Sequence, residues 1–123
     1  MTQRKRILVV DDESSLRAAL TAQLKGQGYS VSAAGDGDIA IEMLGFEYFD
    51  LLLLDIKMPN VDGYEVLSYV KKKHPSTKVI IVTGFADLKN ALDATGLGAD
   101  HFVGKPYEFA DLLVTIKRVL TGV

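Results

Sequence analysis

The sequence predicts an α/β domain in which a parallel sheet is covered by helices on both faces. Two observations carry that prediction. Three short apolar runs, ILVV at 7–10, LLLL at 51–54 and VIIV at 79–82, do not alternate polar with apolar residues. Continuous runs of this kind are typical of strands buried on both faces. Apolar residues at helical spacing fill the segments between them, so strand and helix alternate along the chain. Alternation of this sort gives a parallel sheet with right-handed crossovers.

The elements follow in order. After ILVV, residues Leu16, Ala19, Leu20 and Leu24 lie on one face of a helix, which Gly26 and Gly28 stop. YSVSAA (29–34) is a second, weaker strand. Gly35-Asp36-Gly37 reads as a turn and lacks the shape of a nucleotide-binding loop. Ala40, Met43 and Leu44 repeat the helical spacing on a shorter helix, and LLLL follows. Asp62-Gly63 reads as a turn before a third helix carrying Val66, Leu67 and Val70, which KKKHP closes with positive charge and a proline. Beyond VIIV, a fourth helix over 86–96 rests on Leu88, Ala91 and Leu92, and Thr95-Gly96 weakens it. HFVG (101–104) is the fifth strand. Phe109, Leu112, Leu113, Ile116 and Leu120 form the clearest amphipathic stripe, on a fifth helix.

Composition narrows the function. A chain of 123 residues makes one domain, 1–123, with a core that needs no disulfides. Cysteine is absent, which removes thiol nucleophiles and Cys-based metal sites. The formal net charge of −2 argues against direct nucleic-acid binding by the domain. Arg4-Lys5-Arg6 reads as a solvated basic tail. No apolar run approaches the roughly 20 residues that a bilayer needs. Acidic residues cut off the N-terminal run after Val10, well short of a signal peptide. The expected location is cytoplasmic, with no membrane partner.

Polar residues gather where the strands end. The first strand ends in Asp11-Asp12-Glu13, the third in Asp55, the fourth in Thr83-Gly84, and the fifth leads to Lys105-Pro106. In a parallel sheet these ends share one edge, where open sheets bind their ligands. Taken singly, Asp11-Asp12 reads as a helix cap, Thr83 as a strand residue and Lys105 as a surface lysine. Together they read as a site. Two carboxylates about 5 Å apart repel by roughly 3 kcal/mol at an intermediate dielectric, so three of them require a cation. Lys105 supplies one charge. An all-oxygen ligand set without His or Cys points to a hard divalent ion, Mg²⁺ first and Mn²⁺ as a substitute. His74 and His101 read as surface or edge residues.

VVDDE (9–13), LLLLDIKMPNVDG (51–63), IIVTG (80–84) and GADHFVGKP (98–106) together resemble the receiver domain of bacterial two-component response regulators. The resemblance covers essentially the whole chain, with the motifs in order. It implies a flavodoxin-like sheet of strand order 2-1-3-4-5 with five helices, either standing alone or cut from a longer regulator. It implies that Asp55 is the phosphoacceptor, receiving a phosphoryl group from a phosphohistidine of a sensor histidine kinase or phosphotransfer protein. Asp12 would ligate Mg²⁺ directly, Asp11 mainly through water, and the main-chain carbonyl of Lys57 would complete the set with Asp55. Thr83 would bond the phosphoryl group and Lys105 would pair with it. Phe102 matches the switch aromatic, and Lys105-Pro106 matches a bond usually cis in the family.

The implied chemistry is phosphorylation of the domain itself, with no turnover of an external substrate. Phosphoryl transfer needs in-line positioning and charge neutralisation more than acid–base chemistry. The modified Asp55 would draw Thr83 and Lys105 toward it and let Phe102 turn inward. That would repack the face formed by the fourth helix, fifth strand and fifth helix, which an output domain or protein, or a second copy in a homodimer, would read.

Three departures matter. Phe102 lacks the hydroxyl of the tyrosine common at its position, so it rests inward more readily. Lys57 and Phe85 hold the positions that tune phosphoryl lifetime in the family; an apolar Phe85 cannot orient water, which implies slow self-hydrolysis. GLGAD implies a fourth helix shorter or looser than that of a typical receiver. One other function is set aside on a single residue, and a second stands as the alternative. A haloacid dehalogenase-type phosphotransferase needs an acid where Lys57 stands. A receiver-like interaction domain that is never phosphorylated would be expected to lose an acid, the threonine or the lysine, and none is lost.

Overall fold

Buried, β-forming runs pair in the middle of the molecule, and the amphipathic segments cover them. The computed structural model describes residues 4–56, 63–84, 96 and 98–122. The strands are β1 (Arg6–Val10), β2 (Ser30–Ala34), β3 (Leu51–Leu54), β4 (Lys78–Gly84) and β5 (His101–Lys105). The helices are α1 (Ser14–Gly26), α2 (Gly37–Phe46), α3 (Gly63–Lys73) and a C-terminal α4 (Phe109–Thr121), which is the fifth helix of the sequence expectation. All strand pairs are parallel, in the order β2-β1-β3-β4-β5 that the resemblance implied.

Side chains leave a strand alternately to either face, and the core divides accordingly. Leu8, Val10, Leu52, Leu54, Val79 and Ile81 pack with Ala40 and Leu44 of α2 and with Val66, Leu67 and Val70 of α3. Ile7, Val9, Leu51, Leu53, Ile80 and Val82 pack with Leu20 and Leu24 of α1 and with Leu112 and Ile116 of α4. No residue of β3 is more than 2% exposed, so this strand is covered from both sides.

Several expectations are refined. Thr83 and Gly84 belong to β4 itself, and Lys105 is the last residue of β5. Arg4 and Lys5 are exposed, but Arg6 is not part of a solvated tail. Its N–H donates to Asp50 Oδ2 at 2.8 Å, its guanidinium meets Glu47 at 3.2 Å, and it lies over the Phe49 ring. Ala19, expected on the inner stripe of α1, is exposed. The expected turn at 35–37 is partly a cap: Asp36 Oδ1 accepts the Ile39 N–H at 2.8 Å, and Gly37 opens α2. Gly63 opens α3, and Asp62 lies outside the described residues. Four helices are present among the described residues; the expected fourth, 86–96, lies outside them apart from Gly96.

Entry into β5 is held from two sides. Asp100 Oδ2 accepts the Val79 N–H at 2.8 Å and Lys71 Nζ at 2.9 Å, tying α3 to the start of β4. These bonds fix where β5 begins, and so where Lys105 ends it.

Candidate functional site

Asp11 and Asp55 each stand one residue beyond a central strand, so the β ladder positions both. The Asp11 N–H donates to the Ala34 carbonyl at 3.2 Å, and the Asp55 N–H donates to the Val10 carbonyl at 2.9 Å. Both side chains are buried, at 6% and 7% residue exposure, while Asp12 is exposed. One carboxylate oxygen from each of Asp11, Asp12 and Asp55 lies within 4.8 Å of the others. The three acids read from the ends of the first and third strands are thus one cluster.

Lys105 reaches it from β5. Its Nζ donates to Asp11 Oδ2 at 2.7 Å and to Asp55 Oδ2 at 3.3 Å. Burial opposes the charge on this ammonium. The hydrogen bond to Asp11 and the fields of Asp55 and Asp11 outweigh burial and hold the lysine pKa above its ordinary value. The lysine is therefore fully charged near neutrality. The Lys105-Pro106 bond is cis, as the resemblance implied.

Asp11 does more than carry charge. Its Oδ1 accepts the Glu13 N–H at 2.9 Å, turning the chain into α1. The capping role considered for Asp11-Asp12 is thus met in part: Glu13 is the N-cap residue, with no side-chain cap bond, and Asp11 holds its backbone. Gly63 packs against the other carboxylate loop. A Cβ there would lie 2.2 Å from Ile56 Cα and 2.8 Å from the Asp55 carbonyl oxygen. Only glycine lets α3 start so close to Asp55.

Thr83 is 1% exposed and is in register with Gly104, beside Lys105. Phe102 is in register with Ile81 and is partly buried in the same cluster as that residue. Strand alternation puts Thr83 on the Ile81 face, so Thr83 and Phe102 are diagonal neighbours across two strands. Lys57 and Phe85 lie outside the described residues. An open cleft of about 600 Å³ flanks the cluster, lined by Glu13, Leu16, Gln23, Lys105, Tyr107 and Phe109 among others. Burial pushes the Tyr107 phenol pKa up, the Lys105 charge pulls against it, and the Asp11 charge adds to the rise.

Sequence reasoning missed Arg17, whose Nη1 donates to the Asp11 carbonyl at 2.7 Å. It also missed the reason for Gly63. Spacing held no signal for Arg17: the bond spans six residues across a loop whose path only the folded chain reveals.

The cluster sums to three carboxylates against one ammonium, a formal −2. Hard oxygen donors with that net charge suit a divalent cation that keeps part of its water shell. The donors fit such an ion, and Asp55 offers a carboxylate oxygen at the open edge of the sheet.

Comparison with known proteins places this geometry. Residues 7–117 match the family model of the response regulator receiver domain. The chain is 36% identical over 121 residues to the probable transcriptional regulator ycf27 of Porphyridium aerugineum, covering 98% of this chain and 50% of that protein. It is 37% identical over 114 residues to the transcriptional regulatory protein ZraR of Escherichia coli K12, covering 93% of this chain and 26% of that one. The chain thus spans half or less of these curated relatives. A CheY-like receiver domain protein from Methanospirillum hungatei superposes with a TM-score of 0.93 at 37% identity, covering 98% and 96% of the two chains. The response regulator TrrA of Thermotoga maritima, solved in complex with Mg(2+)-BeF, superposes with a TM-score of 0.84 at 35% identity, covering 94% and 98%. Carboxylates at two central strand ends, a lysine from β5 bridging them and a sequence match across nearly the whole chain agree: the chain belongs to the response regulator receiver domain family of two-component systems.

Proposed function

We propose that Asp55 of this receiver domain is the phosphoacceptor, and that Asp11, Asp12, Asp55 and the main-chain carbonyl of Lys57 hold Mg²⁺, with Mn²⁺ as a substitute. The observation that carries the proposal is the meeting of three carboxylates within 4.8 Å, two of them bonded to one partly buried lysine. When bound, the ion would supply positive charge that offsets the negative charge of the phosphoryl group. Asp55 Oδ attacks phosphorus in line. The new O–P bond forms as the N–P bond to the donor imidazole breaks, and the imidazole leaves with the electron pair. Lys105 moves from compensating Asp11 and Asp55 to pairing with the phosphoryl group, and the Thr83 hydroxyl donates to it. Their diagonal placement supports coupling between Thr83 and Phe102. The chain acts as one receiver unit, 1–123, modifies only itself, and works in the cytoplasm. Among the described residues no helix is long and apolar enough to cross a membrane.

The phosphodonor is a histidine kinase or phosphotransfer protein. The signal leaves through the surface around β5 and α4, to an output domain or protein or to a second copy of the chain. Curated relatives are named transcriptional regulators, which supports an output in gene control. The test is intact mass after incubation with Mg²⁺ and acetyl phosphate. Wild type gains one phosphoryl group and Asp55→Asn gains none. No gain by wild type, with or without a partner kinase, would overturn the proposal in favour of an interaction domain that is never phosphorylated.

A further inference from the structure

Arg17 touches the acidic cluster without belonging to it. It stands in the first turns of α1, half-buried. Its main-chain N–H donates to the Glu13 carbonyl at 2.9 Å, and its Nη1 donates to the Asp11 carbonyl at 2.7 Å. The guanidinium lies against the turn after β2. A Cβ on Gly35 would stand 3.2 Å from Nη1 and 3.5 Å from Cζ. Arg17 is therefore seated between the end of β1 and the start of α2.

The carbonyl it holds belongs to the peptide that joins Asp11 to Asp12. That unit is planar, so fixing its oxygen fixes the direction in which the chain enters Asp12. Every other polar group of Asp11 is already engaged, by Ala34, Glu13 and Lys105. Asp12 is different: among the described residues no hydrogen bond or ion pair holds its carboxylate. Its aim depends on the backbone that carries it.

We infer that Arg17 is a positioning residue for the divalent cation, presenting Asp12 to the ion by clamping the Asp11–Asp12 peptide. The inference rests on the metal-binding role proposed for the cluster. Groups that orient metal ligands typically affect affinity by 10–100-fold, roughly, when removed. The direction of the effect is diagnostic. If Arg17 acted through its charge alone, removing a cation near the site would tighten Mg²⁺ binding. If it positions Asp12, removing it weakens binding.

The test is Mg²⁺ titration by calorimetry, with the Asp11 carbonyl ¹³C shift read in metal-free protein. Arg17→Gln should bind Mg²⁺ about ten-fold more weakly and move that shift. Arg17→Lys, which keeps a donor but not the planar fork, should recover part of the loss. Gly35→Ala needs no unusual backbone angle, because Gly35 is not among the positive-φ glycines. It should produce a smaller loss by displacing the guanidinium, and no further loss in the Arg17→Gln background, since both changes break one contact. Thermal melts check that each variant folds; if Arg17→Gln does not, Gly35→Ala carries the test alone. Wild-type affinity or tighter in Arg17→Gln, or losses that add in full, would overturn the inference. Failure of wild type itself to bind Mg²⁺ would overturn the metal-site reading instead.

Discussion

Asp12→Asn should make the metal-free domain more stable and abolish its response to Mg²⁺. The Asp12 carboxylate lies within 4.8 Å of both Asp11 and Asp55, and no cation is bonded to it among the described residues. At that distance each pair repels by about 0.9 kcal/mol in water's dielectric and about 3.5 kcal/mol at the lower effective value of a protein surface. Asp12 is exposed, so the smaller figure governs, and attraction to Lys105 returns part of it. Net relief of about 1 kcal/mol remains, or about 3–6 °C in melting temperature for a domain of this size. The assay is thermal melting by circular dichroism, in EDTA and in Mg²⁺. In EDTA the variant melts above wild type. With Mg²⁺ at ten times its Kd, wild type gains about 1.4 kcal/mol and the variant gains almost nothing, so the two curves meet or cross. A variant less stable than wild type in EDTA, or equal gains from Mg²⁺, would refute the reasoning.

Gly63→Ala puts a Cβ 2.2 Å from Ile56 Cα, which must shift backbone next to Asp55. A loss of about 3 kcal/mol in urea denaturation, with slower phosphorylation by acetyl phosphate in what remains folded, is expected; unchanged rate and stability would contradict the close approach. The folded pKa values of Lys105, Tyr29 and Tyr107 are all raised, so each holds its proton in the folded state where the unfolded chain loses it. Their contribution is complete below the unfolded values, near about 10, and is lost as pH rises through the folded ones. Urea midpoints should therefore fall on going from about pH 9 to about pH 11; a flat profile would remove the native bonding of Lys105 as a stabilising feature. Phe85→Glu with Lys57→Asn should shorten the phosphoryl lifetime, followed by loss of the phosphorylated mass after donor removal, and an unchanged lifetime would dismiss both residues as its determinants.

Particular residues show how far the sequence could be read. LLLL at 51–54 coincides with β3, because a strand covered on both faces has no reason to alternate. Asp55 follows it at the strand end, where a charged group meets the open edge. The stripe from Phe109 matches α4, because helix burial is written in local spacing. Boundaries moved where ladder bonds extended a strand beyond its apolar run, as at Thr83 and Lys105. Arg6 was misread as tail because its partners, Glu47, Phe49 and Asp50, are distant in sequence.

By itself, then, the sequence determined the order of the described elements, the layers of the core and the polar residues at four of the five strand ends. Those features depend on periodicities of a few residues, which a chain carries whether or not it is folded. Tertiary structure decided that Lys105 lies 2.7 Å from Asp11 and 3.3 Å from Asp55, across 94 and 50 residues of chain. It also decided that Arg17 turns back onto the Asp11 carbonyl and that α3 begins against Ile56. Such contacts depend on sheet register and on the path of loops, relations between distant segments that local patterns of polarity do not encode.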